Sequence, residues 1–237
     1  MQAIILAGGF GTRLKSVTGD VPKPMAMVAG RPFLCWLLEY MAGQGVIKAV
    51  LSLHHKADEI HTYFGHRFAG IDLLYSIESK PLGTGGAIRL AMEKLNPKDP
   101  VFVLNGDSLV QLNYQSMMQH HIKLRRLATL ATFEVVDCSR YSQLHTRSGI
   151  VCQYDTLGQA EAGLISAGFY VLSPDVFAGH ALKESFSFER EFLHPQTPVI
   201  LPAYYDGVGY FIDIGVPHDY ARAQTEIPEM QKVRRLA

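Results

Sequence analysis

The sequence predicts an α/β fold, namely one domain with a mixed, mostly parallel central sheet flanked by helices. Two observations lead to this prediction. Short apolar, β-branched runs alternate with longer segments in which apolar residues recur every three or four positions, which is typical of βαβ units. In addition, no long linker, low-complexity tract or internal repeat divides the 237 residues. A single domain therefore accounts for the whole chain.

The first half of the chain alternates regularly between strand and helix patterns. Apolar runs predict strands at 3–6, 49–53, 71–77 and 101–104. Helical spacing predicts helices at 33–44, 57–64 and 87–95. The second half is richer in strand. Its strands are predicted at 129–136, 164–172, 199–201 and 209–212, and its helices at 114–123 and 217–225. This succession favours a Rossmann-like arrangement.

The composition is that of an ordinary globular protein. The 22 basic and 22 acidic residues cancel to a net charge of zero, so the charge indicates neither a nucleic-acid partner nor a membrane partner. The three cysteines show no metal-type spacing and are expected to be buried and reduced. The first apolar run is too short for a signal peptide or a membrane span. These features favour a cytoplasmic enzyme, and the chain length is compatible with a homodimer.

An apolar strand opens directly onto a glycine-rich, cationic segment. Residues 6–13 read Leu-Ala-Gly-Gly-Phe-Gly-Thr-Arg, and Lys23 follows between two prolines. Glycines let successive backbone N–H groups converge on an anion, and Arg13 and Lys23 add full positive charges to the same neighbourhood. The segment therefore predicts a binding site for a phosphate chain.

Two common nucleotide-binding loops do not fit this segment. A P-loop requires Lys-Ser or Lys-Thr after a Gly-x-x-x-x-Gly stretch, and the chain contains no such stretch. A dinucleotide-binding loop requires a third glycine, but Leu14 stands at that place, and two prolines interrupt the helix that should follow. A purely structural glycine turn remains the alternative.

Two carboxylates follow predicted strands. Asp107 comes after the strand at 101–104, and Asp213 after the strand at 209–212. Mg²⁺ usually takes one or two carboxylates together with phosphate oxygens, so both acids are candidate magnesium ligands. Each acid could equally cap a turn or a helix. Because ligands of open α/β sheets bind at the carboxyl ends of strands, we expect the glycine segment, the turn at 83–86 and Asp107 to share one cleft.

Five motifs together resemble those of the sugar-1-phosphate nucleotidyltransferases. They are Gly8-Gly9-Phe10-Gly11-Thr12-Arg13-Leu14, Pro22-Lys23-Pro24-Met25, Gly83-Thr84-Gly85-Gly86-Ala87, Asn105-Gly106-Asp107 and Phe211-Ile212-Asp213-Ile214-Gly215-Val216-Pro217. From Met1 through Ser16-Val17 and Asp20-Val21-Pro22-Lys23-Pro24-Met25-Ala26 to Pro32-Phe33-Leu34, the chain most closely resembles one group within that family, the D-glycero-α-D-manno-heptose 1-phosphate guanylyltransferases. The resemblance covers essentially the whole chain and implies a fold of the nucleotide-diphospho-sugar transferase type.

The resemblance implies that a nucleoside monophosphate, GMP from GTP, is transferred to a sugar 1-phosphate with release of pyrophosphate. The partners are then small-molecule substrates, and Mg²⁺ is the expected cofactor. Residues 1–110 would form the nucleotide-binding half and residues 111–237 the sugar-phosphate-binding half of one domain.

The resemblance also implies a role for each candidate residue. Arg13 is expected to stabilise the departing pyrophosphate, and Lys23 to lie beside the α-phosphate and the incoming sugar phosphate. Asp107 and Asp213 are expected to hold Mg²⁺. The residues expected to bind the nucleotide are Leu6, Ala7, Gly8, Gly9, Gly11, Thr12, Gly83, Thr84, Gly85, Asn105 and Gly106. The residues expected to bind the sugar phosphate are Gly168 and Arg147.

One departure from the family pattern concerns the sugar phosphate. Relatives carry a Glu-Lys pair ahead of the strand that reads Ile-Ser-Ala-Gly at 165–168, and the lysine of that pair holds the sugar phosphate. Thr156 and Leu157 stand at about that place. A charge-assisted bond worth about 1.5–3 kcal/mol is therefore missing. Either Arg147, Lys183 or Arg190 replaces that lysine, or the acceptor binds weakly.

Base recognition leaves two readings open. The turn at 83–86 lacks the glutamine that many thymidylyl- and uridylyl-transferring relatives carry, which favours a purine. Glu78 could accept hydrogen bonds from guanine, or it could be an exposed acid at a strand end. The alternatives to guanylyl transfer are uridylyl transfer to another sugar 1-phosphate, such as N-acetylmuramate 1-phosphate, and a homologue that binds sugar nucleotides without turnover.

Overall fold

The computed structural model describes residues 1–9, 14, 19, 21–155, 158–200 and 202–236, with the backbone alone for 232–236. Its helices are α1 Phe33–Gly43, α2 Ala57–Phe64, α3 Gly83–Met92, α4 Tyr114–Leu124, α5 His194–Ile200 and α6 Pro217–Leu236. A 3₁₀ turn occupies Lys23–Met25, and a π-helical turn occupies Phe188–Leu193.

The described strands are β1 Gln2–Leu6, β2 Met27–Val28, β3 Arg31–Pro32, β4 Lys48–Leu53, β5 Arg67–Phe68, β6 Ile71–Ile77, β7 Val101–Asn105, β8 Ser108–Leu112, β9 Ala128–Val135, β10 Gln143–Arg147, β11 Ile150–Asp155, β12 Gly163–Leu172, β13 Ala203–Tyr205 and β14 Val208–Asp213. Ten of these strands form one continuous sheet, in the order β10-β11-β13-β9-β12-β7-β1-β4-β6-β5. β8 and β14 form a separate antiparallel pair, and β2 and β3 form a short hairpin.

The parallel part of the sheet is built around β1, which pairs with β7 on one side and with β4 on the other. β6 continues this parallel ladder beyond β4. On the other side of β7 the pairings are antiparallel, except that β13 runs parallel to β9. The mixed sheet is therefore confirmed, but its parallel share is smaller than predicted. A tight turn joins β10 to β11, and a connection that short allows only antiparallel pairing.

Helices cover both faces of the sheet, and successive side chains of β1 face two different cores. Ala3 and Ile5 pack in the core that contains Leu37 of α1, whereas Ile4 packs in the core that contains Ile88 of α3. This alternation follows from the two-residue repeat of a strand. Because both faces are covered, β1 reads as an unbroken apolar run, as parallel strands commonly do.

Three element predictions need correction. Residues 199–200 belong to α5, and the strand predicted at 199–201 lies instead at β13. So short an apolar run does not distinguish strand from helix. In the helical turn, Ile200 is buried and Val199 is 73% exposed. In addition, α3 begins at Gly83 rather than at residue 87, and β8, β10 and β11 were not predicted.

The last helix and one cysteine also differ from expectation. α6 continues to Leu236, well beyond the predicted end near Thr225. None of the helices in the described part of the chain is long and apolar enough to cross a membrane. Cys35 and Cys138 are buried as predicted, but Cys152 is exposed, because it lies on the solvent side of β11 near the sheet edge.

Candidate active site

The carboxyl ends of β1, β4, β6 and β7 meet at one edge of the sheet and surround a cavity of about 360 Å³. This is the cleft that the sequence predicts. We call it the nucleotide cavity. Its lining includes Leu6, Ala7, Gly8, Gly9, Gly83, Thr84 and Asn105, together with Lys23 and Asp107.

Gly106 brings the ends of β1 and β7 together. Its N–H donates to the carbonyl oxygen of Leu6 at 2.9 Å. A Cβ at this position would lie 2.9 Å from the same oxygen and 3.2 Å from the Cβ of Ala7. Only glycine allows so close an approach without a backbone shift. The close approach sets Asn105 and Asp107 beside the start of the glycine segment.

Lys23 reaches the cavity from the 3₁₀ turn. The ring of Pro24 restricts the backbone of that turn, and Pro22 precedes it. The Nζ of Lys23 donates to Oδ2 of Asp107 at 2.8 Å, and the two side chains are 13% and 26% exposed. A full positive charge is thus held at the floor of the nucleotide cavity.

Asp213 lies beside Asp107 because β14 pairs with β8. Asp213 stands opposite Ser108 in this pair, and the N–H of Ile214 donates to the carbonyl oxygen of Asp107 at 3.0 Å. The Oδ1 of Asp213 accepts the N–H of Gly215 at 2.7 Å. Burial raises the pKa of Asp213, and the negative charge of Asp107 raises it further. The negative charge of Asp107 therefore disfavours ionisation of Asp213.

Two mutually repelling carboxylates are a suitable donor set for Mg²⁺, which usually takes one or two carboxylates and fills its other positions with water and phosphate oxygens. Within the described residues, no group of three or more His, Cys, Asp or Glu side chains could hold a metal ion. The donor set in this part of the chain therefore fits Mg²⁺ better than zinc, which takes three or four protein ligands.

The glycine turn that starts α3 packs tightly on a later segment of the chain. Gly83 has φ +66°, and a Cβ there would lie 2.6 Å from the carbonyl oxygen of Phe186. The N–H of Gly85 donates to that oxygen at 2.9 Å, and the Thr84 hydroxyl accepts the N–H of Phe188 at 2.8 Å. The turn is therefore fixed by backbone contacts.

Two glycines predicted to bind the nucleotide pack closely on neighbouring segments. Gly85 and Gly106 lie next to residues that line the nucleotide cavity, and their N–H groups donate to the backbone oxygens of Phe186 and Leu6 respectively. At both positions a side chain would overlap a neighbouring segment. Both glycines therefore allow close packing beside the cavity.

Glu78 is buried at the carboxyl end of β6 and lines the nucleotide cavity, so it is not an exposed strand-end acid. Its Oε2 accepts the N–H of Leu82 at 2.8 Å, and its Oε1 accepts the Ser52 hydroxyl at 3.4 Å. His54, on the same wall, contacts the backbone oxygen of Glu78 through Nδ1 at 3.0 Å. These contacts hold the carboxylate in the wall of the cavity.

A second cavity of about 250 Å³ adjoins the first, and Asn105 lines both. We call it the acceptor cavity. Gly168 lines it, as the sequence predicts. Its φ is +66°, and a Cβ at this position would overlap Nδ2 of Asn105. The other residues that line it are Ser108, Arg140, Tyr141, Ser142, Ser166, Ala167, Glu189, Phe211 and Asp213.

Arg140 is a cation that lines the acceptor cavity. Its Nη1 donates to Oδ2 of Asp219 at 2.7 Å, and its Nη2 lies 3.9 Å from Oδ2 of Asp213. The guanidinium also lies over the ring of Tyr141, 5.3 Å from the centroid. Asp219 is only 9% exposed and lies in the first turn of α6. These contacts direct the guanidinium towards Asp213.

The structure does not place Arg147 in the acceptor cavity. Arg147 is exposed at the end of β10, where the chain turns towards β11. Lys183 and Arg190 are also exposed and do not line this cavity. Sequence position favours these three residues because they are basic and flank the place of the missing lysine. Sequence position does not indicate Arg140, because only the fold brings residue 140 next to residues 213 and 219.

Part of the predicted site falls in segments that the structure does not describe. Gly11, Thr12 and Arg13 lie outside the described residues, as do Thr156 and Leu157. Of the predicted catalytic and metal residues, the structure therefore brings together Lys23, Asp107 and Asp213.

Known proteins are similar to this chain in sequence and in fold over nearly its whole length. The model of a family described as nucleotidyl transferase matches residues 2–230. The D-glycero-α-D-manno-heptose 1-phosphate guanylyltransferase of Aneurinibacillus thermoaerophilus is 40% identical over 229 residues, which cover 96% of this chain and 98% of that protein. The protein of the same name from Campylobacter jejuni is 40% identical over 221 residues. The aligned region covers 93% of this chain and 97% of that protein.

A solved structure shows the same architecture. HddC from Yersinia pseudotuberculosis, complexed with GMP-PN, superimposes with a TM-score of 0.82 at 37% identity, covering 94% of this chain and 97% of that one. The predicted α/β fold, with its central mixed sheet flanked by helices, is thereby confirmed. The chain belongs to the nucleotidyl transferase family.

Proposed function

We propose that this enzyme transfers GMP from GTP to D-glycero-α-D-manno-heptose 1-phosphate, producing GDP-heptose and pyrophosphate. The observation that carries the proposal is the meeting of Lys23, Asp107 and Asp213 where the nucleotide and acceptor cavities adjoin. Relatives that are 40% identical carry the name of this activity.

The central difficulty of this reaction is the repulsion between two anions. One like-charge pair about 4 Å apart costs roughly 4 kcal/mol at an effective dielectric constant near 20. The attacking phosphate oxygen is already largely ionised near neutral pH, since the second pKa of a phosphomonoester is about 6. The enzyme therefore needs no general base. Its residues accelerate the reaction by positioning and by charge.

Lys23 is placed to offset that repulsion. Its ammonium group lies at the floor of the nucleotide cavity beside Asp107, close to the acceptor cavity that Asp213 lines. We propose that it contacts the α-phosphate and the incoming sugar phosphate. The N–H groups of Gly8 and Gly9 would hold the triphosphate, and the predicted contributions of Gly11, Thr12 and Arg13 belong to the same proposal.

We further propose that Asp107 and Asp213 hold Mg²⁺. Burial and the charge of Asp107 disfavour ionisation of Asp213, and a divalent cation would offset that cost. When bound there, Mg²⁺ would neutralise negative charge on both substrates. The N–H of Gly215 and the backbone bond between Ile214 and Asp107 keep the two carboxylates in place.

Glu78 supports guanine as the base. Guanine presents N–H donors on one edge, and a carboxylate is a strong acceptor for them. Glu78 is held by the N–H of Leu82 through one oxygen, whereas its other oxygen makes only a long 3.4 Å contact with Ser52. That second oxygen retains the capacity to accept a hydrogen bond from the base.

A substrate matrix tests the proposed function. Pyrophosphate release is measured for GTP, UTP, dTTP, CTP and ATP, each with heptose 1-phosphate, mannose 1-phosphate and N-acetylmuramate 1-phosphate. We expect the largest kcat/KM with GTP and the heptose phosphate. A preference for UTP would support the uridylyltransferase alternative, and absence of pyrophosphate release with every pair would support the non-catalytic alternative.

Arg140 is expected to replace the missing lysine at the sugar phosphate. Arg140→Ala should raise the KM for the sugar 1-phosphate by about 10- to 100-fold, because it removes a charge-assisted hydrogen bond worth about 1.5–3 kcal/mol. The KM for GTP should change little, since Arg140 does not line the nucleotide cavity. Steady-state kinetics with each substrate varied in turn measures both constants.

Arg147→Ala is the matched control, because it removes the same charge from an exposed site outside the cavity. It should leave both KM values at the wild-type level. If Arg147→Ala raises the KM for the sugar 1-phosphate and Arg140→Ala does not, then Arg147 binds the sugar phosphate, as the sequence suggested.

A further inference from the structure

Glu189 is an acid of the acceptor cavity to which none of the roles above applies. It lies in the π-helical turn that follows Ser187, and the turn packs against α3. Its side chain is partly buried and lines the cavity together with Ser166 and Gly168 of β12. A carboxylate repels a phosphate, so Glu189 is unsuited to the charged end of the acceptor.

A chain of hydrogen bonds ends on this carboxylate. The N–H of Gly168 donates to the Ser166 hydroxyl at 3.3 Å, and the Ser166 hydroxyl donates to the Tyr170 oxygen at 3.1 Å. The Tyr170 hydroxyl in turn donates to Oε1 of Glu189. The chain therefore connects Gly168, the residue predicted to bind the acceptor, with Glu189 on the same cavity wall.

Tyr170 determines which groups donate and which accept in this series of hydrogen bonds. This residue is only 2% exposed. Burial raises the pKa of its hydroxyl well above the usual value, and the charge of Glu189 raises it further. The hydroxyl thus stays protonated and donates to the carboxylate. Tyr170 holds Oε1 from behind, and among the described residues Oε2 of Glu189 has no hydrogen-bond partner.

We propose that Glu189 accepts hydrogen bonds from hydroxyl groups of the acceptor sugar and so selects among sugar 1-phosphates. The inference rests on the proposed function and deepens it by naming the residue that recognises the neutral part of the acceptor. Carboxylates are strong acceptors for hydroxyl donors, and a site built to bind a hydroxyl discriminates against an analogue that lacks it. In this arrangement Arg140 faces the phosphate and Glu189 faces the sugar ring.

Affinity rather than turnover provides the test. The binding of heptose 1-phosphate to the wild-type chain and to Glu189→Gln is measured by titration calorimetry. We expect about tenfold weaker binding in the variant, because a charge-assisted hydrogen bond is replaced by a neutral one. GTP affinity should be unchanged. Glu191→Gln is the matched control, since Glu191 is exposed on the same turn and its amide oxygen can still accept the N–H of Ser187.

Monodeoxy analogues of the sugar 1-phosphate make the test specific. The wild-type chain should bind at least one analogue about tenfold more weakly than the parent sugar, and Glu189→Gln should distinguish that analogue from the parent less sharply than the wild-type chain does. Tyr170→Phe, which keeps the ring and removes the donor, should weaken sugar-phosphate binding without changing GTP affinity. A purely structural role of Glu189 would leave the discrimination against a single hydroxyl unchanged.

Each of these binding measurements has a result that would contradict the inference. Wild-type affinity in Glu189→Gln, equal wild-type affinity for every monodeoxy analogue, or no binding of heptose 1-phosphate to the wild-type chain would overturn it. The analogue series on the wild-type chain requires no variant to fold. A chain that binds the sugar phosphate through Glu189 but releases no pyrophosphate would support this inference and overturn the proposed function.

Discussion

An Asp107→Asn enzyme is expected to lose about 10³-fold or more in Mg²⁺-dependent pyrophosphate release. The amide preserves the shape of the side chain but removes the charge that would hold the metal. Asp107 also contacts Lys23 at 2.8 Å, and its backbone is bonded to Ile214 beside Asp213. The substitution therefore removes a negative charge at the place where Lys23, Asp107 and Asp213 lie close together. Initial rates measured across a Mg²⁺ titration give the size of the effect.

Asp72→Asn is the control for this variant. Asp72 is exposed near the amino end of β6, where it lies 3.7 Å from Arg67, at the opposite edge of the sheet from the cavity. Its replacement should leave the Mg²⁺ dependence unchanged. Near-normal turnover of Asp107→Asn at saturating Mg²⁺ would exclude Asp107 from the metal site.

Lys23→Met should lower kcat by about 10²- to 10³-fold. Methionine has a similar length and no charge, so the variant removes the positive charge that Lys23 brings to the cavity floor. The KM for GTP should change less than kcat, because charge accumulates in the transition state more than in the bound ground state. Single-turnover kinetics separates the chemical step from substrate binding.

Lys48→Met is the matched control for this charge. Lys48 is exposed at the amino end of β4, so the same substitution there should leave kcat unchanged. A Lys23→Met enzyme with the wild-type single-turnover rate would show that the ammonium group plays no part in the chemical step.

The first half of the fold was predictable because its signals are local. β1, β4, β6 and β7 are short apolar runs separated by helical patterns, and each of these elements can be recognised within its own segment. The second half was harder to predict. β10 and β11 are mostly exposed strands near the sheet edge with little apolar alternation, and α5 contains an apolar run that resembles a strand.

The residues of the candidate site also differ in how far the sequence indicates them. Lys23, Asp107 and Asp213 stand in compact sequence motifs, and the structure brings them together. The residue proposed to replace the missing lysine could not be found by position in the chain. Arg147 is near in sequence but exposed at a turn, whereas Arg140 is held by Asp219 of α6. The homodimer and the cytoplasmic location remain predictions from the sequence.

The sequence by itself predicted that anionic substrates bind at the carboxyl ends of the parallel strands. Gly8 and Gly9 follow β1 and Asp107 follows β7, and parallel strands carry their carboxyl ends to the same side. Only the tertiary structure decided which side chains line the acceptor cavity. The pairing of β14 with β8 and the packing of the π-helical turn bring Arg140 and Glu189 into one cavity. Contacts between residues so distant in the chain leave no periodic pattern in the sequence.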